Sequence, residues 1–171
     1  MKLLDEVGLP DLTMRKLAAS LDVQPSALYW HFANKQTLLA EVSNTIVNFA
    51  KPVPSSSSWQ DTTLQTALAL RDALLAFRDG AEVVSSTLAL GLGAENALAA
   101  IEASIEISDR DLARAAAQSI LFLVLGQVWH EQQRMQANSL GVVDNLITAE
   151  SPNLGIGIQL ILQGLTEKVK A

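Results

Sequence analysis

Between Leu12 and Val42 the chain reads LTMRKLAASLDVQPSALYWHFANKQTLLAEV, a stretch that fixes three helix starts and the tight turn between the first two helices. Thr13 is a natural N-cap, and Met14, Leu17, Ala18 and Leu21 follow at the i, i+3, i+4, i+7 spacing of one apolar helix face, which predicts a helix over Thr13–Leu21. Asp22-Val23 makes the turn. Pro25 then occupies a position that the first turn of a helix tolerates, and Ser26–His31 forms that helix. So short a helix does not persist alone, and Ala27, Leu28 and Phe32 are expected to hold it by packing. Asn34 caps a further helix from Lys35 to about Phe49, with Leu38, Leu39, Val42 and Ile46 facing inward. Helix, tight turn and short helix held by its neighbours is the helix-turn-helix plan, which leaves the N-terminal half of the second helix turned outward.

The outward residues suit a DNA groove. Gln24, Ser26 and Ala27 offer an amide, a hydroxyl and a methyl, matched respectively to adenine, to a generic acceptor and to the thymine methyl. Tyr29, Trp30 and His31 form a cluster able to lie along the sugar-phosphate wall, although aromatics in a short helix also serve as ordinary core residues. Lys35 adds its charge to the amide-rich start of its helix, a ready phosphate site, and Arg15 is within reach of a guanine edge. The net charge of −6 argues against a nucleic-acid partner only as an average. Residues 1–50 hold four basic and five acidic side chains, whereas Leu12–Ala40 carries Arg15, Lys16 and Lys35 against Asp22 alone. The basic footprint is small and local.

Around this stretch the punctuation is regular. Met1–Val7 reads as a helix closed by Gly8, followed by a turn at Leu9–Asp11. Lys51–Ser58, KPVPSSSS, is a linker, which divides the chain into a helix-turn-helix domain (1–50), a linker (51–58) and a larger unit (59–171). In that unit helices are expected over Trp59–Asp79, Ala81–Leu90, Ala94–Ile107, Asp109 to about Ala137, and Leu154–Lys170, with a polar loop over Asn138–Asn153. Ser108 is read as the cap that opens the longest of them, with Asp111 as its third-position acid. A hydrophobic fraction of 49% with only 5% aromatics means a core of Leu, Ala, Val and Ile, and together with the periodicity this predicts an all-α protein. The absence of cysteine excludes disulfides and thiolate metal sites. The N-terminus lacks the basic-then-apolar pattern of a signal peptide, and Ser119–Trp129, interrupted by Gly126 and Gln127, is too short to span a bilayer. A cytoplasmic protein is expected.

Thr13-Met14-Arg15-Lys16-Leu17-Ala18, Leu28-Tyr29-Trp30-His31-Phe32 and Asn34-Lys35, preceded by Leu3-Leu4-Asp5-Glu6-Val7-Gly8, resemble the tetracycline-repressor (TetR) family of one-component transcriptional regulators. Trp59-Gln60-Asp61, Arg78-Asp79-Gly80-Ala81, Leu125-Gly126-Gln127-Val128 and Gly157 to Lys168 are more weakly similar to that family's regulatory core. The resemblance implies a homodimer whose two heads read a palindrome and whose helical core binds a small inducer. It places Arg15, Gln24, Pro25, Ser26, Ala27, Tyr29, Trp30 and His31 against DNA, with Thr13 and Lys35 on phosphate. It pairs the helices at about 109–135 and 154–170 with their copies in a four-helix bundle. No cofactor and no resident metal are implied.

Three positions depart from that family's pattern. The basic opening turns that often begin its first helix do not stand before Leu3, which implies either a start further upstream or one phosphate contact fewer. Asp22 stands where a turn glycine is usual, and aspartate tolerates a left-handed backbone at some cost. Val84 stands where the tetracycline repressor has the histidine that chelates drug-bound magnesium, so tetracycline is not the expected inducer. An inducer pocket is expected inside the core, lined by Thr66, Leu70, Val84, Thr87, Ile101, Phe122 and His130 and suited to an apolar or amphipathic ligand. His130 is equally readable as a core histidine, and the Ser108–Asp111 acids as helix-start residues rather than a metal box. Gly155, Gly157 and Gly164 fit either a close helix approach or a locally irregular helix. The expected function is a ligand-responsive repressor; the alternative is a helical dimerisation or adaptor protein with weakened DNA binding. An enzyme is not expected, because neighbouring His130 and Glu131 point about 100° apart on a helix and do not converge on one atom.

Overall fold

Capping residues set the helix starts. Thr13 accepts the Lys16 amide at 3.1 Å, and Asn34 and Thr37 form a reciprocal capping box in which Asn34 accepts the Thr37 amide at 3.0 Å. Ser58 and Asp109 likewise accept from Asp61 and Leu112. Each such cap stabilises its helix by about 1 kcal/mol. A computed structural model of the chain describes residues 1–54, 56–142 and 152–170. Among them the elements are α1 (Lys2–Asp11), α2 (Met14–Ser20), α3 (Pro25–Tyr29), α4 (Lys35–Asn48), α5 (Trp59–Leu75), α6 (Gly80–Ala89), α7 (Glu95–Ala103), α8 (Arg110–Ser139) and α9 (Pro152–Lys170), an all-α fold. The loop expected over Asn138–Asn153 falls largely outside the described residues; Asn138 and Ser139 end α8, and 152–153 open α9.

Several local expectations need correction. The cap of α8 is Asp109 and not Ser108, because it is the Asp109 carboxylate that reaches the Leu112 amide. Gly8 breaks α1 as expected, at φ 76° and ψ 166°, but a further helical turn follows it instead of an open turn. α3 stops at Tyr29, which leaves Trp30 and His31 in the turn beyond it. Leu21 and Ala27, expected to pack inward, are both exposed. The left-handed turn does sit at Asp22, with φ 53°.

Two groups of buried residues organise the molecule. A small one, Met14, Ala18, Leu28 and Leu38 with Leu17 and Phe32 packed against it, holds α2, α3 and the start of α4 together. The large one runs from Leu4, Leu9 and Leu12 through Leu39, Ile46 and Val47 into α5–α9. α4 therefore belongs to both: its first turn closes the head, and its remainder packs against α5, α6 and α7. α8 is the central strut, in contact with α5, α6, α7 and α9. The judgement that Ser119–Trp129 is too short for a membrane does not extend to α8, whose 30 residues suffice by length and composition. α8 nonetheless packs as a core helix, burying Ala113, Ala117, Ile120, Val124 and Val128 within the bundle.

Candidate nucleic-acid interface and ligand cavity

The predicted DNA-facing residues fall on or next to α2 and α3 and at the start of α4, and most of them are exposed. Arg15, Gln24, Ser26, Ala27, Tyr29, Trp30 and His31 are exposed, and Pro25 and Lys35 are half-buried. Trp30 is 88% exposed and Tyr29 54%, which rules out the core reading of both rings. The packing of the short helix is done instead by Leu28, 7% exposed, and by Phe32. Two large aromatic side chains are thereby held in water, on the same head as an exposed amide, hydroxyl and guanidinium. The cations are differently engaged. Lys16 pairs with Asp11 at 3.4 Å, while among the described residues Arg15 has no ion-pair partner. The Lys35 ammonium donates to the Leu9 carbonyl at 3.2 Å and so ties the start of α4 to the end of α1. Thr13 uses its hydroxyl oxygen as a cap acceptor, and the hydroxyl proton remains available.

The seven residues expected to line one pocket do not share one. Thr66, Leu70 and Ile101 border a cavity of about 330 Å³ between the end of α4, the linker, α5 and α7. Its other walls include Val47, Asn48, Lys51, Asn96 and Ala100. Val84 and Thr87 are buried in α6, where the Thr87 hydroxyl donates to the Ser43 hydroxyl of α4 at 2.7 Å. Phe122 is 64% exposed and borders a separate cavity of about 440 Å³ with Leu88 and Leu98. His130 is exposed on α8, so the core-histidine reading fails. Its neighbour Glu131 accepts both Arg71 Nη2 contacts, at 2.9 and 3.0 Å, as a tie between α5 and α8. Among the described residues no group of three or more His, Cys, Asp and Glu is placed to hold a metal. Asn48, Lys51 and Asn96 escaped the sequence reading. The Lys-Pro start of the linker is the one signal that pointed there.

α8 and α9 carry apolar side chains that the chain itself leaves uncovered. Phe122 and Trp129 on α8, and Ile156 and Leu160 on α9, are all about half or more exposed. Of the glycines in α9, Gly157 answers to a close approach within the chain, since a Cβ there would meet Leu123 Cδ2 at 3.1 Å.

A helix-turn-helix head carried on a larger helical core is the architecture of a one-component regulator, and the comparisons agree with it. The profile of bacterial regulatory proteins of the tetR family matches residues 1–42, and that of the tetracyclin repressor-like C-terminal domain matches residues 51–156. The chain is 37% identical over 150 residues to the tetracycline repressor protein class E of Escherichia coli, an alignment covering 83% of this chain and 69% of that one. The crystal structure of Mycobacterium smegmatis BioQ superposes with a TM-score of 0.85 at 38% identity, covering 96% of this chain and 91% of that one. BioQ solved with its natural double-stranded DNA operator gives 0.78 at the same identity and coverage. A TetR variant from Acinetobacter baumannii AYE in complex with minocycline gives 0.74 at 27% identity, covering 99% and 93%. The chain belongs to the TetR family of transcriptional regulators, which are not enzymes.

Proposed function

We propose that the protein is a ligand-responsive transcriptional repressor that binds a palindromic operator as a homodimer in the cytoplasm and is released by a small-molecule inducer. The observation that carries this reading is the exposed set at the head: Trp30 and Tyr29 held in solvent by Leu28 and Phe32, beside Arg15, Gln24 and Ser26. Arg15, Gln24, Ser26 and Ala27 read base edges; Pro25 starts the reading helix; Tyr29, Trp30 and His31 lie along the backbone. Thr13 and Lys35 contact phosphate, Lys35 with the two ammonium donors that Leu9 does not use. Residues 1–50 act as the reading domain, 51–58 as linker, and 59–171 as the regulatory and dimerisation domain. The uncovered faces of α8 and α9 pair with their copies in a four-helix bundle, and this pairing sets the spacing of the two heads.

The inducer sits in the cavity between α4, the linker, α5 and α7. Leu70, Ala97 and Ile101 supply an apolar wall, while Asn48, Lys51 and Asn96 supply polar groups, so an amphipathic ligand with a polar or anionic end fits. Val84 stands where the tetracycline repressor has its chelating histidine, so recognition of magnesium-bound tetracycline by that route is not proposed. Bound between α4 and α7, the ligand shifts the heads away from the operator spacing by favouring one arrangement over the other. Selection of random duplex DNA by the purified protein at low salt tests the reading. Enrichment of a palindrome is expected, and no enrichment of any sequence would leave only the adaptor role.

A further inference from the structure

The break in α1 is closed by residues distant in sequence. At Gly8 the backbone leaves the helix, which frees the Leu9 amide on one side and the Asp5 and Glu6 carbonyls on the other. The corner between α5 and α6 supplies both complements. The Asp79 carboxylate accepts the Leu9 amide at 2.7 Å, and the Arg78 guanidinium donates to the Asp5 and Glu6 carbonyls at 3.4 and 3.3 Å. The Arg78 amide in turn donates to the Asp5 carboxylate at 3.0 Å. The fit is tight at Gly8, where a Cβ would stand 3.1 Å from both Arg78 Nη2 and Asp79 Oδ2. Asp79 is 4% exposed and holds a left-handed backbone at φ 56°.

That corner is itself held from α8. Gln132 accepts the Ala81 amide at 3.2 Å and donates to the Leu74 and Phe77 carbonyls at 3.1 and 2.9 Å. One turn further along the same face, Gln136 donates to the second oxygen of Asp79. Asp79 is thereby bonded at once to α8 and to the kink in α1. Cavities of about 410 and 390 Å³ open on the two sides of this junction, each bordered by Arg78, Asp79 and Gln136.

We propose that Gln136 is a positioning residue for the DNA-reading head: through Asp79 it anchors the Gly8–Leu9 kink, giving α8 a route to α1 that runs through the α5–α6 corner and bypasses α4. The inference rests on the reading of the chain as an operator-binding dimer, since α8 then also lies in the pairing bundle and reports its arrangement to each head. The contact is a hydrogen bond to a carboxylate that accepts a main-chain amide with its other oxygen, so its loss loosens both.

The test uses the full chain. In Gln136→Leu, amides of residues 5–12 are expected to exchange with deuterium on the order of tenfold faster, with the rates of α5 and α7 unchanged. On the palindrome selected by the native protein, the variant should lose discrimination between half-site spacings that differ by one or two base pairs. Unchanged exchange at 5–12, or retained spacing discrimination, overturns the proposal. If protection falls equally along the whole chain, Gln136→Asn, too short by one methylene to reach Asp79, takes its place; a uniform loss there too makes the residue merely structural and overturns it. Should the native protein select no DNA, the repressor reading fails, while the exchange result still decides whether Gln136 holds the head.

Discussion

The head and the core cavity are built differently, one from a single local stretch and the other from four separate segments. The residues proposed to contact DNA lie within Thr13–Lys35, and all of them but Pro25 and Lys35 are exposed. The cavity draws on four segments from Val47 to Ile101, and only Thr66, Leu70 and Ile101 of its seven expected lining residues border it. A surface made by one turn and two helix ends is fixed by local chemistry: caps, a proline and a left-handed residue. A cavity is what remains after several helices pack, and its walls depend on rotations that no short stretch records. Contrasts of this kind predict where substitutions act locally and where they spread.

The largest expected effect tests whether the head is a separate folding unit. Its own core has only four buried residues, Met14, Ala18, Leu28 and Leu38. Leu28→Ala should remove about 2–5 kcal/mol from it. Hydrogen exchange should then show α2 and α3 losing protection while α5–α8 keep theirs, with operator affinity lost. If the whole chain loses protection together, the division between head and core is one of function only.

Within the head, Gln24→Ala and Arg15→Ala should each cost about 1–3 kcal/mol at one position of each half-site and relax base preference there. Competition binding against single-base operator variants measures it. Equal weakening on every sequence would reassign these side chains to phosphate. In the core, Ala100→Phe places a ring into the cavity from an exposed position on α7. Operator affinity should change by less than about 0.5 kcal/mol, as for an ordinary surface substitution. Ligand-induced release, read with an amphipathic compound found by thermal-shift screening of the native protein, should disappear. Retained release would move the inducer site away from the α4–α7 cavity, with the separate space beside Phe122 the next to test.

Much of the head was legible in the sequence for identifiable reasons. Thr13 and Asn34 stand one residue before the helices they cap, and Asp22 marks the position in the turn between α2 and α3 where a left-handed backbone is needed. The failures were of two kinds. Leu21 and Ala27 follow a helix period yet face solvent, because α2 and α3 are each too short to bury a full stripe. Gly8 was readable as a helix breaker, but not that Arg78 and Asp79, seventy residues away, would fill the break. Hydrogen bonds of that span leave no periodic trace. His130 is one of two histidines in the chain, and its exposure on α8 shows that rarity alone says nothing of location.

The smallest expected effect separates two positions that share a positive φ. Gly8, at φ 76°, is buried against Arg78 and Asp79, so both its angle and its missing side chain are required. Asp22, at φ 53°, is exposed in the turn before the reading helix, and its carboxylate makes no hydrogen bond or ion pair among the described residues. There only the angle matters. Asp22→Gly relieves a left-handed strain of about 1–2 kcal/mol for an ordinary L-residue, less for aspartate. Against this stands the added freedom of glycine in the unfolded chain, about 0.4–1 kcal/mol. The two nearly cancel, and thermal unfolding should change by no more than about 0.5 kcal/mol on these terms. Operator affinity should nonetheless rise, because the substitution removes the one acid within Leu12–Ala40 and with it repulsion from the phosphate backbone. The gain should shrink as salt is raised. A gain independent of salt would point instead to the turn geometry, and would show that Asp22 limits the head through its backbone and not its charge.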